Sequence, residues 1–247
     1  MSSESGQPSG LGVRLIGPPD ADGEYIGLRS SAGAEEIIHL HDYDRIYSTS
    51  GLYERIVQGL LRCTSPQIVA DALARTLETL GLDPAQIRLL DLGAGTGLVG
   101  QLVAERGVAD VIGLDSRESA RRACLRDRPG LYGDYVVAEL THPTDRLLAK
   151  LTALRASALT GAGAFGGTHA PPEALRAALG LLPSGAPVVF TIDEKWTSTD
   201  GPGAFKTPLA ELTSSGALVL LERSRFQHRV STSGEPIFYE LFAGLTG

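Results

Sequence analysis

Apolar positions along the middle of the chain fall into two alternating rhythms. Ile68, Val69, Ala72, Leu73, Thr76, Leu77 and Leu80 recur at i, i+3, i+4 spacing, which predicts a helix from Ser65 to about Leu80 with Ser65 as cap, Pro66 at its first position and Gly81 as its stop. Short apolar runs follow, each trailed by an amphipathic stretch. They predict strands at Arg88–Leu92, Val111–Asp115 and Tyr135–Ala138 and helices at Leu98–Arg106 and Arg117–Asp127, the second ending before Arg128-Pro129-Gly130. A helix-like piece near Asp145–Leu154, a weak fourth strand at about Ala156–Thr160, a helix over Pro172–Leu181 and a clear fifth strand at Pro187–Ile192 continue the series. After a helix at Pro208–Ser215, Leu218–Arg223 and Ile237–Phe242 read as two edge strands joined by a loop carrying His228. Alternating strands and helices imply a parallel sheet with right-handed crossovers, and two final strands without a helix between them imply an antiparallel end. The expected fold is α/β: a doubly wound, Rossmann-like, mostly parallel seven-stranded sheet with an antiparallel edge.

Upstream the pattern weakens. Residues 1–10 have no basic or apolar signal region and read as a disordered tail. Residues 11–41 look irregular, with apolar bits at Val13–Ile16 and Ile37–Leu40 broken by Pro18-Pro19 and Gly23, before a helix from Gly51 to about Arg62. Residues 11–64 are therefore expected to form a lid or extension, and 65–247 the main domain, within the size range of a single folding unit.

The most informative stretch is Leu89-Leu90-Asp91-Leu92-Gly93-Ala94-Gly95-Thr96-Gly97-Leu98. An apolar run with one acid meets glycine at every second position and then a helix-like continuation. This is how a parallel strand ends in a tight turn that brings backbone N–H groups close to a ligand. The pattern predicts a nucleoside-cofactor site. Two readings compete. Gly95-Thr96-Gly97-Leu98-Val99-Gly100 spells the dinucleotide fingerprint G-x-G-x-x-G, with Asp115 twenty residues after Gly95 where a ribose-binding acid belongs. In that reading Asp91 is stranded as a charge inside a central strand. The other reading makes Gly93, Gly95 and Gly97 the loop and puts Asp91 at the ligand end of the strand. Asp115, at the tip of the next strand, can accept both ribose hydroxyls through its two oxygens.

Composition narrows the field. The net charge of −7 argues against nucleic acid as the main partner. No run of eighteen apolar residues suggests a membrane span. Cys63 and Cys124, each expected inside a helix, read as reduced thiols, consistent with a cytoplasmic protein. No Cys/His/acid spacing suggests a metal, and His39 and His41 read as surface residues. No internal repeat is visible.

Leu89–Gly100 resembles motif I of the class I S-adenosylmethionine-dependent methyltransferases. From Ser65 to about Asp193 the chain is similar to the small-molecule members of that family, especially the subgroup related to the Williams–Beuren-region methyltransferase. The Asp115 segment and Ala162-Gly163-Ala164-Phe165-Gly166-Gly167-Thr168-His169-Ala170-Pro171-Pro172-Glu173-Ala174-Leu175 also carry the likeness. Leu182-Pro183-Ser184-Gly185-Ala186 resembles the family's Leu-x-Pro-Gly-Gly turn, departing at Ser184. Arg155-Ala156-Ser157 departs from the usual Phe-Asp of the fourth strand, and no Asn/Asp-Pro-Pro-Tyr motif is present.

The resemblance implies S-adenosyl-L-methionine as cofactor, held by Tyr43, Tyr47, Asp91, Gly93, Ala94, Gly95, Asp115, Ser116, Glu139, Leu140 and Gly161. Glu139, or alternatively Asp134, stands where an acid faces the adenine. His169 is the candidate general base, with Asp193 as a rival. Tyr43, His169, Glu194, Trp196 and Phe205 are candidates for the acceptor pocket, the last two in a loop able to fold over substrate. Tyr53 is expected to pack on its own helix. The implied reaction is an in-line methyl transfer to an oxygen or nitrogen of a small molecule, such as a bacterial specialised metabolite, by a monomer or homodimer. Two rivals are a cofactor-binding cyclase or binding subunit, and a nicotinamide-dependent oxidoreductase.

Overall fold

The computed structural model describes residues 11–17, 23–166, 169–201 and 204–247. The expected tail (1–10), Pro18-Pro19 and the Gly167-Thr168 pair lie outside the described residues.

Residues 11–41, read as irregular, instead form a small antiparallel sheet of β1 (Gly12–Ile16), β2 (Tyr25–Arg29) and β3 (Glu35–His39). Two helical turns follow, α1 (Tyr43–Tyr47) and α2 (Leu52–Glu54). The second runs into a π-helical segment, Arg55–Leu60, where one continuous helix was expected. Ile26, Leu28, Ile38, Leu40, Ile46, Leu52, Ile56 and Leu61 bury one another in a core belonging to this segment. Cys63 lies between that segment and the next helix rather than inside one.

The main sheet is built as the alternation predicts. The chain passes through α3 (Ser65–Leu80), β4 (Arg88–Leu92), α4 (Leu98–Ala104), β5 (Asp110–Asp115), α5 (Glu118–Asp127) and β6 (Asp134–Val137). It continues through α6 (Asp145–Thr152), β7 (Ala158–Phe165), α7 (Pro172–Leu179), β8 (Pro187–Asp193), α8 (Glu194–Ser198) and α9 (Lys206–Ser214) to the hairpin β9 (Leu218–Val230) and β10 (Pro236–Thr246). Strand order is β6-β5-β4-β7-β8-β10-β9, parallel up to β8 and antiparallel for the last two. The edge strands run well past the expected ends, so His228 is a strand residue and not a loop residue. β7 too is longer than the expected Ala156–Thr160. Its glycines and alanines have little β preference of their own, and pairing between β4 and β8 holds its first half extended.

Side-chain alternation assigns each strand residue to a face. Leu90 and Leu92 of β4 join the core under α6, α7 and α9, while Leu89 joins the core under α3 and α4. Asp91 therefore projects to the α4 face. It is 1% exposed, and its oxygens accept from Tyr132 Oη at 2.7 Å and Thr160 Oγ1 at 3.0 Å. The phenol reaches it because Gly100 has no side chain: a Cβ there would stand 2.5 Å from Tyr132 Oη. Gly100 thus serves Asp91 from inside the protein, which accounts for the third glycine of the dinucleotide fingerprint without a dinucleotide.

Burial pushes the Asp91 carboxyl up to about 6, against the two hydroxyl bonds that favour its charged form. A folded-state value above the unfolded one means the native state holds the proton longer, so stability falls as pH rises from about 4 to 6. At about 1.4 kcal/mol per tenfold change, the loss is on the order of 3 kcal/mol. Asp91→Asn should flatten this slope in urea titrations at pH 4 and 6; an unchanged slope would count against the assignment. Gly100→Ala should cost roughly 1–3 kcal/mol by overpacking Tyr132, measured by the same titrations at pH 7.

Candidate cofactor and acceptor site

The turn after β4 is held from the neighbouring strand. Gly93 N and Ala94 N both donate to Leu114 O of β5, at 2.8 and 3.1 Å. Gly93 has φ +69, and a Cβ on it would lie 2.8 Å from Ala164 Cβ, so the turn and β7 close on each other only with glycine here. Asp115 at the tip of β5 accepts from Gly95 N at 3.0 Å and from Arg117 N at 2.9 Å, one bond per oxygen. Burial raises its pKa despite these bonds. Each oxygen keeps a lone pair for a ligand hydroxyl.

These strand tips floor a cavity of about 660 Å³, large enough for a nucleoside cofactor. Gly93, Asp115, Ser116, Glu139 and Leu140 line the floor and far side. Tyr43 and Tyr47 roof it with rings stacked at 5.6 Å, and Arg117 lies 5.6 Å over the Tyr43 ring. The roof is fastened to α5: Asp44 accepts from Arg117 Nη1 at 3.2 Å and from Ser119 Oγ, and Arg126 Nη1 donates to Tyr47 O at 2.9 Å.

β7 supplies the remaining wall through a bulge. Its ladder with β8 pairs Gly161 with Phe190 and then Phe165 with Ile192, so three residues oppose Thr191 alone. Gly163 N donates to Thr191 Oγ1 at 2.9 Å, and Ala162, Gly163 and Ala164 are displaced into the cavity wall. Beyond them lies a second chamber of about 90 Å³, reached between His41, Tyr43, Tyr53 and His169, which line both spaces. His41 and His169 meet edge to face at 5.6 Å. Burial and nearby cations hold the His169 imidazole below its ordinary value, so it is neutral at pH 7.

The structure thus brings together Tyr43, Tyr47, Gly93, Asp115, Ser116, Glu139, Leu140 and His169. Others of the expected set lie elsewhere. Asp91 is turned under α4, and Ala94, Gly95 and Gly161 support the wall without lining it. Asp193 caps α8, accepting from Lys195 N at 3.1 Å. Glu194 is paired outward with Arg225 at 2.5 Å. Phe205, expected in a mobile cover, is fully buried against Phe165, because the apolar ring gains more from the core than from solvent. Trp196 packs on Gly166. Asp134 pairs with Arg88 at 3.6 Å on the side of β6 away from the ligand. Conversely His41, Tyr53, Arg117, His228 and Tyr239 border the cavities unforeseen. The first three had local signals, in the Tyr/His cluster and in the position after Asp115; the hairpin residues had none.

Among the described residues no helix is long and apolar enough to cross a membrane, and no group of three His, Cys, Asp or Glu is placed to hold a metal ion.

No family model matches the chain. Over 151 residues it is 32% identical to the ribosomal protein L11 methyltransferase of Aeromonas hydrophila, a match covering 54% of this chain and 47% of that protein. The chain therefore spans about half the length of this curated relative. Its structure is similar to the N-methyltransferase NodS of Bradyrhizobium japonicum, solved with S-adenosyl-L-homocysteine: TM-score 0.56, 14% identity, 84% of this chain and 97% of that one. It is also similar to a Pyrococcus horikoshii protein described as a candidate RNA methyltransferase, with TM-score 0.52, 16% identity, and 72% and 83% coverage. With its strand order, its glycine turn and the acid at the tip of β5, the chain has the class I S-adenosylmethionine-dependent methyltransferase fold.

Proposed function

We propose that the protein is an S-adenosylmethionine-dependent methyltransferase that modifies an oxygen or nitrogen of a small molecule. The observation that carries this reading is Asp115. Its two oxygens are oriented by backbone N–H groups of the glycine turn and of the residue before α5, at the floor of a cavity of nucleoside size. Gly93 leaves the turn open to close approach, Leu140 and Ala138 offer apolar contact to a base, and Glu139 stands beside them with Thr141 Oγ1 donating to it at 2.8 Å. The bound cofactor would supply an activated methyl group on a sulfonium.

The protein's part is alignment, exclusion of water and proton removal. Tyr43 and Tyr47 cover the cavity. His169 stands where it joins the inner chamber, and its neutral ring can take the proton of an acceptor hydroxyl, or that of the ammonium a neutral amine becomes, as the new bond to carbon forms and the carbon–sulfur bond breaks. A small acceptor is favoured because the inner chamber holds only about 90 Å³, and the net charge of −7 disfavours a polyanion. A second reading rests on the Aeromonas hydrophila match: the acceptor is then a group on a protein, its side chain alone entering the chamber.

Asp115→Asn should raise the Kd for S-adenosylhomocysteine at least tenfold in calorimetric titration, since a hydrogen bond to a charged group contributes about 1.5–3 kcal/mol; an unchanged Kd would remove the basis of the proposal. His169→Gln should lower kcat about 10²–10⁴-fold while leaving that Kd within twofold. The acidic limb of the wild-type kcat/KM profile should fall below pH 6.5, because His169 loses its proton more readily than an ordinary histidine. A limb above that pH would exclude this base. Radiolabelled methyl transfer to small-molecule, protein and RNA fractions separates the acceptor classes.

A further inference from the structure

The inner chamber is walled by rings whose polar atoms have nothing to bond. Among the described residues, the hydroxyls of Tyr43, Tyr53 and Tyr239 and the imidazoles of His41 and His169 make no side-chain hydrogen bond to protein, and none is sealed from the cavities. His228 is held on one side only, with Nδ1 2.6 Å from Ser65 Oγ. Its ring stacks on Tyr239 at 3.8 Å, and Cε1 lies 3.9 Å from where a Cβ on Gly163 would stand, so its free edge faces the bulge of β7. Their polar atoms reach the cavity surface, His41 at its exposed mouth and His228 and Tyr239 deepest, so six rings with spare donors and acceptors converge on one chamber where a ligand could bond them.

The chamber also has no free charge. Arg229 is the one lining cation among the described residues, and Glu24 holds it through both terminal nitrogens, Nη1 at 2.9 Å from Oε1. The Cys63 thiol is pushed up to about 11 by burial and stays protonated at neutral pH. Burial holds His228 near 3. His41 is held near 4 by the desolvating cavity and by His169, an effect softened where its ring meets solvent. An ionic guest would leave water and find no counter-charge. A neutral one could satisfy the rings without one.

We infer that this chamber, bounded by His41, His169, His228, Tyr43, Tyr53 and Tyr239, is the acceptor subsite and admits the edge of an uncharged planar ring bearing a hydroxyl or amine. Its volume, about 90 Å³, is smaller than the roughly 150 Å³ cavity that encloses a whole benzene. The substituted edge therefore enters while the rest of the ring stays outside the chamber, on the side of the larger cavity. The inference rests on the methyltransferase reading and adds the chemical class of the acceptor.

The test is calorimetry on the whole protein saturated with S-adenosylhomocysteine, using phenol, aniline, benzoate and phenyl phosphate as probes. Phenol or aniline should bind at least tenfold more tightly than either anion. Tyr239→Phe, which removes one hydroxyl and little else, should weaken that binding threefold or more, and His228→Phe tenfold, with S-adenosylhomocysteine affinity within twofold of wild type in both. Anions binding as well as phenol, no probe binding, or variants that leave probe affinity unchanged would each overturn the inference while the cofactor reading stands. Failure of the unaltered protein to bind S-adenosylhomocysteine would overturn both.

Discussion

A buried carboxylate under the glycine turn sets the terms for the site. Asp91 cannot reach solvent, so its charge depends on Tyr132 and Thr160, and those partners come from opposite sides of β4. Thr160 belongs to β7, and Tyr132 to the segment leading into β6. The same contact requires Gly100 on α4. Two strands, a loop and a helix are thereby held in one register just beneath the turn that opens at Gly93. Asp115, bonded to that turn through Gly95 N and to its own following loop through Arg117 N, inherits its position from this arrangement. One acid fixes the floor and the other stands on it.

The cavity above has contributions from parts of the chain that fold around separate cores. The floor comes from the parallel sheet, the roof from α1, whose stacked tyrosines are tied to α5 by Asp44 and Tyr47 O. The inner chamber takes walls from β7, from the π-helical segment and from the final hairpin. Arg128 bridges two of these parts by donating to Glu54 at 2.7 Å and to Thr96 O at 3.0 Å. Such ties join the walls of the cavity across the separate cores.

The parallel sheet was legible because its signals are local and strong. β4, β5 and α3 show period, cap and stop within a few residues, and β8 is a continuous apolar run as a doubly covered strand requires. Asp115 was legible for the same reason, as an acid at a strand end followed by a helix. Asp91 was read as facing the ligand because spacing alone does not say which way a strand-end side chain turns; its parity with Leu89 did contain that information. The first sheet was missed because β1, β2 and β3 are five residues each, and β3 is mostly exposed. Phe205 was misplaced because a Gly/Pro-rich neighbourhood masks a single buried anchor. His228 and Tyr239 had no local signal, since they meet the site only through strand pairing at the far edge of the sheet.

The pairing of Glu24 with Arg229 spans 205 residues of chain. Thr64 N reaches His228 O, and Val230 N reaches Leu61 O, across comparable separations. The opening segment can dock on α5 early, but these last contacts form only when the final hairpin exists. On a ribosome adding about 5–20 residues per second, they would wait on the order of ten seconds or more with the parallel sheet forming in the meantime. Ile26, Leu28 and Ile38 pack in the opening segment's own core and not in that of the parallel sheet. The site closes last, when the two ends of the described chain come together.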